Sequence, residues 1–460
     1  VAELRATAGP VIPAVRPTLF AVGAELPSEP LVFLLVLLIL VAIAVPIARR
    51  MGRVEGDARL TKLLMAALFL HFLGSCLTIF IDNHVYHGVA DFNQYVHIGA
   101  IAAKNFRSFH FTLQGTGIKT PVGDGSVSIA AGVVFAIVGV NELATFFVFG
   151  FLSWLGTIFF YRAFCTTFPE GGHRRYALML FLLPSLLYWT SDVSKEAIEM
   201  LALGVATLGV ARVMVRKPRG YPLILLGAAM GIATRPDEFA ILFAAFTVAL
   251  FFRPQTSNQA VRAVRRLGTL AFLFLILGVT VVLTAKFLHS NSSGVHSLSG
   301  LLGKAHKNNS ATQLGTTDVP YSANPLFFPR DIYYVLFDPL PVTARTVTQL
   351  IAAGENTVVL VLILTSLRRL RLVWRAGRER AYVILCSFYS LAFIYAFAAL
   401  ANLGLITRER TLLFPYLLVL LAIPMAPKGT APVYRWEKRR PKRRDQRLAK
   451  ARAGGFYPSR

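Results

Sequence analysis

The chain reads as an all-α, polytopic membrane protein of about 11 crossing helices, within a range of about 11 to 13, and three observations predict it. First, 55% of its 460 residues are hydrophobic, with 35 Phe against only 23 acidic residues. Second, mean hydropathy is +0.58, and apolar runs recur near the roughly 20 residues that one hydrocarbon crossing needs. These runs are continuous rather than alternating with period two, so helices and not a barrel satisfy the backbone. Third, the connections between runs are alternately rich and poor in arginine, as the positive-inside rule requires.

Residues 1–30, rich in Pro and Ala, read as an N-terminal arm. The first crossing, 31–47, lies too far from the start and has the wrong flanks for a cleaved signal peptide. It ends at Arg49, Arg50 and Arg53, which places that connection in the cytoplasm. Segment 63–81 crosses back and delivers residues 82–125 to the external face. The run 127–140 admits two readings. As a full crossing it would put Arg162, His173, Arg174 and Arg175 outside and break the charge rule in every later connection. As a segment that dips in or lies on the surface it restores the rule, and that reading is adopted.

Further crossings follow at 145–161, 176–189, 197–213, 222–233, 239–252, 267–287, 351–367, 381–400 and 411–425. The transmembrane domain then covers 31–427, followed by a basic cytoplasmic tail at 428–460. Two external regions stand out, 82–125 and 288–346. The second lacks a long helical pattern and reads as a substrate-covering loop.

A net charge of +25 is accounted for by cytoplasmic anchoring and anionic lipid headgroups. Nucleic acid is excluded as a partner, because the basic tail has no interleaved aromatics for base stacking. Cys76, Cys165 and Cys386 fall in or beside separate apolar runs and read as small buried hydrophobes without disulfide or metal spacing. His84 and His87 have an HxxH spacing, but nothing nearby completes a zinc pattern. Phosphate-loop, dinucleotide and serine-hydrolase motifs are missing from the sequence.

Ionisable residues at a membrane edge are costly and point to function. Here they collect on the external side: Asp82 and Asp91, the turn SDVSKE with Asp192, Lys195 and Glu196, the turn TRPDE with Arg235, Asp237 and Glu238, and TRER with Arg408, Glu409 and Arg410. Asp91 opens an amphipathic stretch, ADFNQYVHIGAIAA, with Tyr95 one turn further along. It reads either as a general base for an acceptor hydroxyl or as a helix N-cap. Arg408 and Arg410 precede an external helix start, where a phosphate meets guanidinium and free amide groups, or where a salt-bridged cap forms. Lys195, Glu196 and Asp192 suit either a phosphate pocket or a structural ion cluster.

These segments, with GVNELATFFVFGFLSWLGTIFFYR, FLLPSLLYWTSDVSKEAI, GIATRPDEFAIL and NLGLITRERTLLFPYL, resemble in order and character the GT-C superfamily of integral-membrane glycosyltransferases, over roughly residues 60–425. Two helices rather than one precede the acidic loop, which carries a single Asp91 with Asp82 nearby. The resemblance implies an inverting transfer on the external face of a bacterial plasma membrane. The sugar would pass from a polyprenyl-phosphate donor to an envelope glycan, lipid or protein acceptor. By carry-over Asp91 is the base, Arg408 or Arg410 steadies the leaving phosphate, and Lys195 and Arg235 are further donor contacts. Tyr95, Asp192, Glu196 and Asp237 support the acceptor side. No tightly bound cofactor and no divalent metal is expected. A polysaccharide polymerase or ligase using Arg330 and Arg345 of the 288–346 loop is the alternative reading. A lipid-linked substrate transporter is a more distant one, because no duplicated halves are evident.

Overall fold

The computed structural model describes residues 29–86, 90–252, 271, 324–345, 347–400 and 402–425. The expected arm up to residue 28, the crossing 267–287 (residue 271 apart), the loop from 288 to 323, His87 and the basic tail lie outside the described residues. Among those described, the elements are helices. Four of them are long and apolar enough to cross a membrane: α1 (Glu29–Glu55), α2 (Ala58–Ile81), α5 (Glu142–Thr167) and α8 (Lys195–Met214).

Each expected crossing among the described residues coincides with helix. Run 176–189 is two helices, α6 (His173–Leu182) and α7 (Pro184–Tyr188). Leu183 is extended, as a residue before proline prefers, and the helix stops there. The restarted helix recruits a distant cap: buried Glu355 accepts a hydrogen bond from the Ser185 amide at 3.0 Å. Glu355 sits on α12 (Val347–Thr365). Helices α9 (Gly220–Thr234) and α10 (Pro236–Phe251) follow α8, and the described end of the 288–346 region contains helix α11 (Phe328–Phe337) rather than loop alone.

Helix α8 is the hub. The apolar window of α8 is 83% buried against 22% for α1, so α8 forms the core and α1 the rim. Small residues let its neighbours approach to backbone contact, as in membrane helix pairs generally. A Cβ on Gly204 would stand 2.4 Å from the Gly156 carbonyl oxygen of α5, and one on Gly227 of α9 would stand 2.5 Å from that of Ala202. The contacts also fix direction. Phe149 clusters with Ala197 and Gly156 meets Met200, so α5 and α8 run parallel and both start at one end of the bundle. Helix α2 runs antiparallel to α5: Trp154 Nε1 donates to the Leu64 carbonyl at 2.9 Å, while Ser75 lies by Phe146.

At the end where α5 and α8 start lie α3 (Asp91–Arg107) and α4 (Asp124–Val138). They run side by side in the same direction: Tyr95 meets Asp124, Gly99 faces Ala131, and Arg107 donates to the Phe135 carbonyl. Asp124 at one end of α4 touches Lys195 at the start of α8. Gly139 at the other end leads directly into α5. Both ends of α4 therefore meet the starts of parallel helices, so it lies across the bundle end rather than along the bundle.

Replacing Gly204 by Ala forces α5 and α8 apart and lowers stability by about 1–3 kcal/mol. Gly354→Ala, with open space around its Cβ site, leaves stability unchanged or slightly raised. Thermal unfolding of the purified protein in detergent measures both, and equal stability of G204A and wild type would contradict the close helix contact.

Candidate functional site

Short-range signals bring four chain segments to the end of the bundle that α3 and α4 cover. Ser194 caps α8, its hydroxyl accepting from the Ala197 amide, and this sets Lys195 and Glu196 in the first helical turn. Pro236 begins α10 and holds Arg235 extended between α9 and α10, so its guanidinium leaves the helical path sideways. Asn402 caps α16 (Leu403–Glu409), whose last turn carries Arg408 and Glu409. Ala90, not Asp91, is the residue before α3, and it makes no side-chain cap. The cap-like work falls to Asp82, which accepts from the Ala90 amide at 3.0 Å and from Asn93 Nδ2 at 2.8 Å.

The centre is Glu196, whose side chain has no exposed surface. One carboxylate oxygen meets Arg408 at 2.7 Å and the other meets Arg235 at 3.0 Å. Arg235 also pairs with buried Glu409. Arg408 reaches outward to Asp91 Oδ2 at 3.0 Å. The Asp91 side chain is 69% exposed, so this carboxylate is held from one side and open on the other.

A second arm runs beside the first. Asp124 accepts from the Tyr95 hydroxyl at 2.7 Å and pairs with Lys195 at 2.6 Å. Partial burial works against the Asp124 charge, but Lys195 and Tyr95 hold its carboxyl below the usual range. Burial first, then the bond to Asp124, pushes the Tyr95 phenol well above its usual range and keeps it a hydrogen-bond donor. Asp192 lies buried nearby. Burial, opposed by Arg408 and reinforced by Glu196, pushes its carboxyl up to about 7. Asp237 sits in the first turn of α10, near enough to Arg235 to stabilise its charge.

The structure thus gathers Asp91, Tyr95, Asp192, Lys195, Glu196, Arg235, Asp237 and Arg408 at one end. Arg410 is not among them. Two residues after Arg408 on helical backbone, it points to the opposite side, since each residue turns the chain by about 100°. There it is fully buried, donating to Asn356 Oδ1 at 2.5 Å and to the Val335 carbonyl at 3.3 Å. Arg410 fastens α16 to α11 and α12.

Sequence reasoning missed Asp124 and underused Glu409. Asp124 has no sequence neighbour in the cluster and is reached only through the packing of α3 on α4. Glu199 was missed as well; it lies one turn after Glu196, fully buried, with no hydrogen-bond partner on either oxygen. An acidic residue inside an apolar helix is itself a signal, and the EAIE spacing carries it.

Compared with protein-family models, curated proteins and solved structures, the chain matches none.

Removing Glu196 leaves two buried guanidinium groups short of a partner. E196A therefore loses about 3–5 kcal/mol of stability, whereas D91A, which breaks an exposed pair, loses at most about 1 kcal/mol. Unfolding midpoints of the two variants test this, and equal losses would contradict a buried centre with an exposed outer carboxylate.

Proposed function

We propose that this cluster transfers a sugar from a polyprenyl-phosphate donor to a hydroxyl of an envelope glycan, lipid or protein, as an inverting GT-C-like glycosyltransferase. The observation that carries the reading is the exposed Asp91 carboxylate tethered to Arg408, which is itself anchored on buried Glu196. Each outward cation is paired with an exposed, exchangeable carboxylate: Asp91 on Arg408, and Asp124, 65% exposed, on Lys195. A phosphate entering from the membrane edge takes the place of these carboxylates on the two cations. Asp91, released from Arg408, then turns to the acceptor hydroxyl. That oxygen attacks the anomeric carbon, its proton passes to Asp91, and the bond to the polyprenyl phosphate breaks. The leaving phosphate needs no proton when Arg408 and Lys195 balance its charge. Arg235 is held by buried Glu196 and Glu409 and acts as a positioning residue. No tightly bound cofactor or divalent metal enters this scheme.

In this reading the chain crosses a bacterial plasma membrane about 11 times, with the cluster outside and the C-terminus in the cytoplasm. Lipid-linked donor, acceptor and anionic lipids are its partners, and nucleic acid is not. A second reading, a polymerase or ligase of polyprenyl-linked saccharides, draws on a cleft of about 180 Å³ lined by Asp338, Arg345 and Gln349 and bordered by Leu403 of α16. Arg330 contributes less to it, being paired with Asp331 and stacked over Phe327.

D91N keeps the size of the side chain and removes its basicity. Turnover with a polyprenyl-phosphate sugar falls by roughly 10²–10⁴-fold, while donor binding and melting temperature stay near wild type. Near-normal turnover in D91N together with a large loss in R345A would move the chemistry to the second reading.

A further inference from the structure

At the opposite end of the bundle, three side chains from distant parts of the chain converge. Glu55 closes α1, Cys165 lies in the last turns of α5, and His173 opens α6. Their ligand atoms all lie within 4.8 Å of one another. Gly156 of α5 stands level with Met200 of α8, so Cys165, further along α5, lies about 20 Å along the bundle from Glu196.

The histidine is set up as a ligand. Its Nε2 donates to the Phe168 carbonyl at 2.6 Å, which fixes the tautomer and turns Nδ1 toward the other two groups. Metal-bound histidines are oriented in this way by a backbone carbonyl behind the ring. Nδ1 lies 2.8 Å from Glu55 Oε2. A lone pair facing a carboxylate at that distance requires a positive centre between them. The Tyr161 hydroxyl is within hydrogen-bonding reach of the Cys165 sulfur and steadies it. The His173 and Glu55 side chains keep 26% and 17% of their surface exposed, so an ion can enter from solvent.

We propose that Glu55, Cys165 and His173 form a binding site for a zinc-class divalent cation that ties the ends of α1, α5 and α6 together. Thiolate, imidazole and carboxylate are the mixed donor set such a cation prefers, with water completing a tetrahedron. Tetrahedral ligands around zinc stand about 3.3–3.7 Å apart. Glu55 and His173 therefore open slightly from their hydrogen-bond separation, and the sulfur moves in. The three residues are spread over 118 positions, from Glu55 to His173, which is why no spacing motif announces them. Cys165 is half-buried, unlike fully buried Cys386, so the expectation that all three cysteines are simply buried hydrophobes does not hold for it. Cys76 is exposed. Without a metal a proton takes the same place, between His173 Nδ1 and Glu55 Oε2.

The test is equilibrium dialysis of the purified full chain in detergent against Zn²⁺, for wild type, C165S, H173Q, E55Q and the control H84Q. The site predicts one ion per chain in wild type and in H84Q, and binding at least about tenfold weaker in C165S and H173Q. Co²⁺ titration adds a readout independent of stability, a thiolate-to-metal charge-transfer band present in wild type and abolished by C165S. Zinc also raises the melting temperature of wild type and not of H173Q. A wild type that binds no zinc shows a His173–Glu55 ion pair only and overturns the proposal. So does binding that C165S and H173Q leave intact.

Discussion

The structure depends on one buried carboxylate. Glu196 sits in the first turn of the most enclosed helix and divides its two oxygens between Arg408 and Arg235. Burying three charges costs more than any one pair returns, so the arrangement is justified by position rather than by stability alone. It fixes α8, the α9–α10 turn and α16 to one another in a single geometry. Removing the carboxylate leaves two guanidinium groups that no other described carboxylate can serve from the same point.

Everything outward of Glu196 follows from that anchoring. Arg408, gripped from below, presents its remaining face to Asp91, so a residue on an amphipathic surface helix is tied to the core through one guanidinium. Lys195, the neighbour of Glu196, makes the equivalent outward contact to Asp124. Arg408, with its buried support, and Lys195 both have exposed, exchangeable partners and are suited to receive an anion. Three cations nonetheless face five carboxylates when Asp91, Asp124, Asp192, Glu196 and Glu409 are counted. A proton on Asp192, whose carboxyl is pushed up to about 7 by burial, relieves part of that excess near neutrality.

Much of this was legible in the sequence because its signals are local. Hydropathy located the helices, and the charge rule set 127–140 apart as a segment that dips in or lies on the surface; in the structure its helix, α4, lies across one end of the bundle. The turn TRPDE, with Pro236, falls between two helices as expected, whereas the break at Pro184 inside the run 176–189 was not anticipated. The turns SDVSKE, TRPDE and TRER were recognised as one constellation because costly charges cluster for a reason. What stayed hidden depends on rotation and on packing between distant elements. Arg408 and Arg410 look equivalent in a string, but two residues of helical backbone send them to opposite sides. Asp82 and not Asp91 supplies the cap of α3, a contact made over 8 residues from Asp82 to Ala90. Asp124 and the Glu55–Cys165–His173 group are assembled only by helix packing.

The central claim is that Arg408, held by Glu196, receives the phosphate of a lipid-linked donor and releases Asp91 for chemistry. A density map of the protein in lipid with a bound polyprenyl monophosphate tests it most directly. The account predicts phosphate oxygens within hydrogen-bonding distance of the Arg408 guanidinium, with the Asp91–Arg408 contact open and the Glu196 contacts intact. Phosphate seated instead beside Arg345, with Asp91 still paired to Arg408, would contradict it.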